Sequence, residues 1–151
     1  FAPAIIKKFS SKWFDINIDS PYMLIVSKVK KDKLLNTNNS ITGIDKLKQK
    51  RSIKPAVTHV DNTARIQTVD GTYNKIFFQL LNKFNDLTKC PLLVNTSFNV
   101  RSEPIVESPS DAFKCFMGTN MDILVIGKNV LIKKEQNSRL KKSYLKEFDL
   151  D

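Results

Sequence analysis

Apolar residues in this chain repeat in two rhythms, and the change from one to the other marks out the elements. Phe1-Ala2-Pro3-Ala4-Ile5-Ile6 is a short apolar run with proline near its start, where a missing N–H does least harm to a strand. Ser10 to Phe14 suits a short helical turn. Tyr22-Met23-Leu24-Ile25-Val26-Ser27-Lys28-Val29 is rich in β-branched residues behind Pro21 and predicts a strand. Ala56 to Val60 and Ala64 to Val69 predict two more, joined by the hairpin signal Asp61-Asn62-Thr63. In the second of these, Ala64, Ile66 and Thr68 share one face and Arg65, Gln67 and Val69 the other.

From Asn74 the spacing lengthens. Ile76, Phe77, Leu80, Leu81, Phe84 and Leu87 fall at helical intervals and predict one apolar stripe, with Asn74 as N-cap. Pro91 then starts a run, Leu92-Leu93-Val94, that reads as a buried strand. Further on, Ser108, Pro109 and Asp111 stand as N-cap, first helical residue and capping-box acid of a helix that buries Ala112, Phe113, Phe116 and Met117 and stops at Gly118. Asp122 to Gly127 predicts a buried strand, paired across Gly127-Lys128 with Asn129 to Lys133. The whole predicts a single α/β domain over residues 1–133, a twisted mixed sheet with helices at about 74–88 and 108–118 covering it.

Two segments fall outside that pattern. Residues 30–54 join the turn-forming Asn36-Thr37-Asn38-Asn39-Ser40 to the charge run Lys46 to Arg51, a composition that buries too little to offset its ordering entropy, so a mobile insertion is expected. Residues 134–151 form a charged tail in which Leu140, Tyr144, Leu145 and Phe148 keep helical spacing.

Composition narrows the function. No apolar run approaches the ~20 residues that span a bilayer, and no signal-peptide pattern is present, so a soluble, cytoplasmic protein with no membrane partner is expected. Phe1 is not a translation start, which predicts a fragment or processed product. The formal charge of +10 favours anionic partners. Many of the lysines lie in polar stretches without interleaved aromatics, which argues against nucleic acid as the partner. Cys90 and Cys115 are far apart in apolar surroundings and read as buried thiols, and one histidine, His59, excludes a multi-histidine metal site within the chain.

The chemistry gathers where the Leu92-Leu93-Val94 run stops. Asn95, Thr96, Ser97 and Asn99 supply short donors and acceptors, and Arg101 adds a planar fork suited to phosphate or carboxylate. Ligands of open α/β sheets settle beyond the carboxyl ends of strands, which makes this stretch the candidate site.

The words themselves carry a resemblance. Phe1-Ala2-Pro3-Ala4, Ser20-Pro21-Tyr22-Met23, Pro55 through Thr68, Leu93 through Val106, Asp111 through Phe116 and Asp122 through Gly127 resemble, in that order, the C-terminal domain of the NodU/TobZ/CmcH-type carbamoyltransferases. The resemblance implies a YrdC-like fold that turns carbamoyl phosphate and ATP, with magnesium, into carbamoyl-adenylate. It also implies a partner in the same polypeptide, an N-terminal actin-like domain holding iron, which passes the carbamoyl group to a hydroxyl acceptor. Carried over by position, Arg65 matches an arginine on the phosphate side of carbamoyl phosphate or the adenylate. Ser97 and Asn99 match a polar pair lining that pocket, and Arg101 is a second anion contact. His59 and Asp61 stand close enough in sequence to orient Arg65, although a structural role is the stronger reading. Two departures stand out: this sequence begins after the family's basic stretch upstream of Phe-Ala-Pro-Ala, and Ser102 stands where glycine is common. An incomplete anion site, weak or inactive in isolation, is therefore expected. The alternative from another class is a basic YrdC-like module that binds RNA without catalysis, through lysines spread on a flat face.

Overall fold

The computed structural model describes residues 1–140 apart from Asn39 and Arg101. They form two compact units, Phe1–Thr96 and one that begins at Ser97.

The first unit is built on a four-stranded mixed sheet. Its strands are β1 (Ala2–Ile6), β2 (Ile25–Lys28), β3 (Thr63–Val69) and β4 (Leu92–Asn95), in the spatial order β2-β3-β1-β4. β1 runs parallel to β3 and antiparallel to β4, and β2 is antiparallel to β3. Pro3 sits in a central strand, but the ladder to β3 begins only at Ala4, so its missing N–H falls ahead of that pairing. Each sheet face has its own core. Ile5, Ala64, Ile66 and Leu92 pack with Phe14, Ile16, Val29 and Cys90, beside the short helix α1 (Ser10–Trp13). On the opposite face Ala4, Ile6 and Val69 pack under α2 (Lys75–Thr88) through Leu81, with Phe77 and Phe78 partly buried against them. Asn74 caps α2 as expected, its side chain accepting from the Phe77 N–H at 2.9 Å.

Only part of the expected α2 stripe is buried. Leu81 is enclosed, whereas Ile76, Leu80 and Leu87 are exposed. The stripe is wider than the strip of sheet that α2 covers.

Two predicted strands change. Ala56–Val60 is not one: Pro55–Val57 forms a 3₁₀ turn. Both edges of β3 are already taken, by β2 and by β1, so no edge remains for a hairpin partner. The turn signal survives alone, closed by the His59 N–H donating to the Thr63 carbonyl at 2.8 Å, with Asn62 in the left-handed region at φ 64°. The strand predicted over Tyr22–Val29 shrinks to β2, because Met23 takes φ 58° and turns the chain ahead of it. Within residues 30–54, a 3₁₀ turn at Lys31–Lys33 leads into a neck and another at Gly43–Lys48 lies beyond it. The neck is tied by the Leu34–Ser52 bridge, Leu35 N–H to Arg51 O at 2.8 Å and Ile53 N–H to Lys33 O at 3.0 Å.

The second unit holds α3 (Pro109–Gly118) and the hairpin β5 (Ile123–Ile126) and β6 (Asn129–Ile132). The single sheet expected from sequence is therefore two, of four strands and of two. α3 packs on β5, part of the hairpin and not of the larger sheet. Ser108 and Asp111 form the capping box read from sequence, with Pro109 at the start. Phe116, Met117, Ala112 and Leu124 make the core. Lys133, just past β6, donates to the Phe116 carbonyl and, at 2.9 Å, to that of Thr119, placing positive charge at the C-terminal end of α3. β5 is not the fully buried strand expected: Leu124 faces α3 while Ile123 and Val125 lie exposed on the other side. A two-stranded ribbon with one helix has only one face to cover. The apolar tail positions beyond Leu140 lie outside the described residues.

Candidate functional site

Strand register places the first unit's candidate residues. Ala4 is level with Gln67 on β3 and with Leu93 on β4, and Ala2 is level with Asn95. Two residues back along β3 from Gln67 comes Arg65, at the level of Ala2 and on the same face, because side chains alternate along a strand. Arg65 and Asn95 therefore stand on the two strands flanking β1, about 10 Å apart at the backbone (two strand spacings). Between them the central strand contributes only the methyl groups of Ala2 and Ala4.

Over those methyls runs a polar bridge. Asn95 Nδ2 donates to Gln67 Oε1 at 2.7 Å, and Gln67 Nε2 donates to the Pro21 carbonyl at 3.0 Å. Arg65 lies exposed beside it, paired across the sheet with Val26 of β2. Gln67 was not among the residues singled out for chemistry. The signal was present, since the alternation in β3 already put it on the face of Arg65.

His59 and Asp61 are engaged with Thr63. The Thr63 hydroxyl donates to Asp61 Oδ1 at 2.7 Å and lies 2.9 Å from His59 Nδ1, and the Thr63 N–H also donates to Asp61 Oδ1 at 3.1 Å. A hydroxyl already donating to the carboxylate accepts from the ring, so His59 carries its proton on Nδ1. The Thr63 hydroxyl and N–H hold the Asp61 carboxyl below its usual pKa. These two residues shape the turn that leads into β3.

Thr96, which ends the first unit, and Ser97, which begins the second, are both exposed. In the second unit Asn99 closes its own loop, Nδ2 donating to the carbonyls of Val100 at 3.1 Å and Glu103 at 2.8 Å. The Val100 N–H donates to Glu103 Oε2 at 2.9 Å. Ser102 sits at φ 64°, in the left-handed region that favours glycine, and its hydroxyl is buried without a hydrogen-bond partner. Arg101 lies outside the described residues. Cys90 and Cys115 are buried thiols, as expected. Among the described residues no three His, Cys, Asp or Glu side chains gather as a metal site, and no helix is long and apolar enough to cross a membrane.

Comparison with known proteins decides the family. Residues 1–134 match the model of the carbamoyltransferase C-terminus. The chain belongs to this family. Among its relatives, an uncharacterized protein of Synechocystis is 47% identical over all of this chain and 25% of its own length. Nodulation protein NolNO of Sinorhizobium fredii is 36% identical over 91% of the chain and 18% of its own length. The 3'-hydroxymethylcephem-O-carbamoyltransferase of Streptomyces clavuligerus is 36% identical over 48% of the chain and 14% of its own length. The chain thus spans a quarter or less of the length of these relatives.

Proposed function

We propose that this chain is the donor-activating domain of an O-carbamoyltransferase, with a YrdC-like fold that binds carbamoyl phosphate and ATP and forms carbamoyl-adenylate. A further, actin-like domain of the same enzyme, holding iron, then delivers the carbamoyl group to a hydroxyl acceptor. The observation that carries this reading is the family match over residues 1–134, together with an exposed Arg65 on the open end of the sheet face that also bears Asn95.

The chemistry asks for little beyond position and charge. Carbamoyl phosphate, ATP and water give carbamoyl-adenylate, phosphate and pyrophosphate. Water first displaces phosphate from carbamoyl phosphate and leaves carbamate; a carbamate oxygen then attacks the α-phosphorus of ATP, the bond to pyrophosphate breaks, and both leaving groups carry away negative charge. Arg65 supplies a fixed guanidinium fork to one such phosphate, acting electrostatically in both the bound and the activated state. Ser97, Thr96 and Asn99 supply neutral donors and acceptors, and Arg101 a second cation. Holding the reactants in attacking geometry provides the rest of the acceleration. Magnesium would arrive on the triphosphate, which coordinates it through its own oxygens.

Calorimetric titration of carbamoyl phosphate and of ATP into the intact protein tests the reading. Arg65→Ala is expected to weaken carbamoyl phosphate binding by a factor of about ten or more, the loss of a charge-assisted hydrogen bond. Unchanged affinity for both ligands would remove Arg65 from the site and leave the proposal without its anion contact.

A further inference from the structure

The polar bridge across β1 has a fixed direction. The Pro21 carbonyl can only accept, so Gln67 must turn its Nε2 toward it. That leaves Gln67 Oε1 facing Asn95, and an oxygen there requires the Nδ2 of Asn95 in return. Asn95 Oδ1 is thereby turned away from Gln67 as an acceptor, at the level of Ala2, on the face where Arg65 stands one strand beyond. A backbone carbonyl of one loop thus decides which end of a distant carboxamide a ligand would meet.

We propose that Asn95 Oδ1 accepts a hydrogen bond from the carbamoyl amino group of the donor, and that Gln67 is the positioning residue that holds Asn95 in this orientation. The inference rests on the function proposed above and extends it from binding to selectivity. A ligand spanning Arg65 and Asn95 over Ala2 must be short, with an anionic end for the guanidinium and an N–H donor at the other. Carbamoyl phosphate has that form. Acetyl phosphate has the same shape, with a methyl group where the amino group would be, and gives Oδ1 nothing to accept.

The test compares the dissociation constants of carbamoyl phosphate and acetyl phosphate in the intact protein, with KM and kcat for adenylate formation followed by pyrophosphate release. Wild type is expected to prefer carbamoyl phosphate. Asn95→Ala and Gln67→Leu should each narrow the preference by a factor of about ten, with KM for carbamoyl phosphate rising and KM for ATP unmoved. Gln67→Glu still offers Asn95 Nδ2 an acceptor, so it should keep the preference ratio. A purely structural role for Gln67 would lower stability and activity but leave the ratio untouched, and that result overturns the proposal. So does a loss confined to ATP, which would place the amino group of adenine at Oδ1 instead. Should Gln67→Leu fail to fold, the half-exposed Asn95→Ala decides, since an unchanged ratio there is equally fatal. A wild type that binds neither phosphate compound fails the proposed function itself, and this inference falls with it.

Discussion

The two units spend their apolar residues differently. In the first, both faces of the four-stranded sheet are packed, and the central strand β1 is buried along its whole length. In the second, α3 lies on one side of a two-stranded ribbon, and Ile123, Val125 and Val130 on the other side are exposed. A layer buried on both sides is held by neighbours in every direction and transmits any defect. A ribbon with one open face can shift toward its helix and close a gap.

The largest expected effect tests that difference with one chemical change. Leu81→Ala removes a fully enclosed side chain between α2 and the sheet, and Leu124→Ala removes a buried one between α3 and the hairpin. Both fall in the range of about 2–5 kcal/mol for such truncations, with Leu81→Ala toward the upper end and Leu124→Ala toward the lower. Chemical denaturation of the two variants measures it, and equal losses would break the contrast.

A smaller effect, of opposite sign, is expected in the second unit. Ser102 pays for a left-handed backbone and for a buried hydroxyl with no partner. Ser102→Gly removes both costs and should stabilise by about 1 kcal/mol, read as a rise in the denaturation midpoint without a change in slope. A loss of stability would mean that the side chain contributes packing that outweighs the strain.

The smallest effect concerns acid. Asp61 in the first unit and Asp111 in the second are both held below the usual carboxylate pKa, Asp61 by the Thr63 hydroxyl and N–H, and Asp111 by the Ser108 hydroxyl and N–H. A carboxyl whose folded pKa is lowered contributes stability that is complete above its unfolded value of about 3.9 and is lost as pH falls through the lowered value. Stability should therefore drop below about pH 4. Asp61→Asn and Asp111→Asn should each flatten that slope, being less stable than wild type at pH 7 and converging on it in acid, in a series of denaturation midpoints against pH. An unchanged acid slope in both would show that other carboxylates govern it.

Much of the local structure was legible. The caps Asn74 and Ser108 and the Gly127-Lys128 hairpin turn are settled within a few residues of chain, by backbone groups that need a nearby partner or a permissive φ. That Ala56–Val60 forms no strand was not legible, because it depended on whether β3 had an edge to offer. The same holds for Ile76, Leu80 and Leu87, whose spacing is helical but whose exposure depends on how much sheet lies beneath α2.

The candidate site divides in the same way. Sequence alone named Asn95 and Arg65 and put Gln67 on the face of Arg65, since strand alternation is a property of the chain itself. It could not set β1 between β3 and β4 or bring Pro21 to Gln67, and so could not give the carboxamide bridge its direction. Those depend on pairings between residues 28 and 46 positions apart, and only the folded sheet brings such partners within hydrogen-bonding reach.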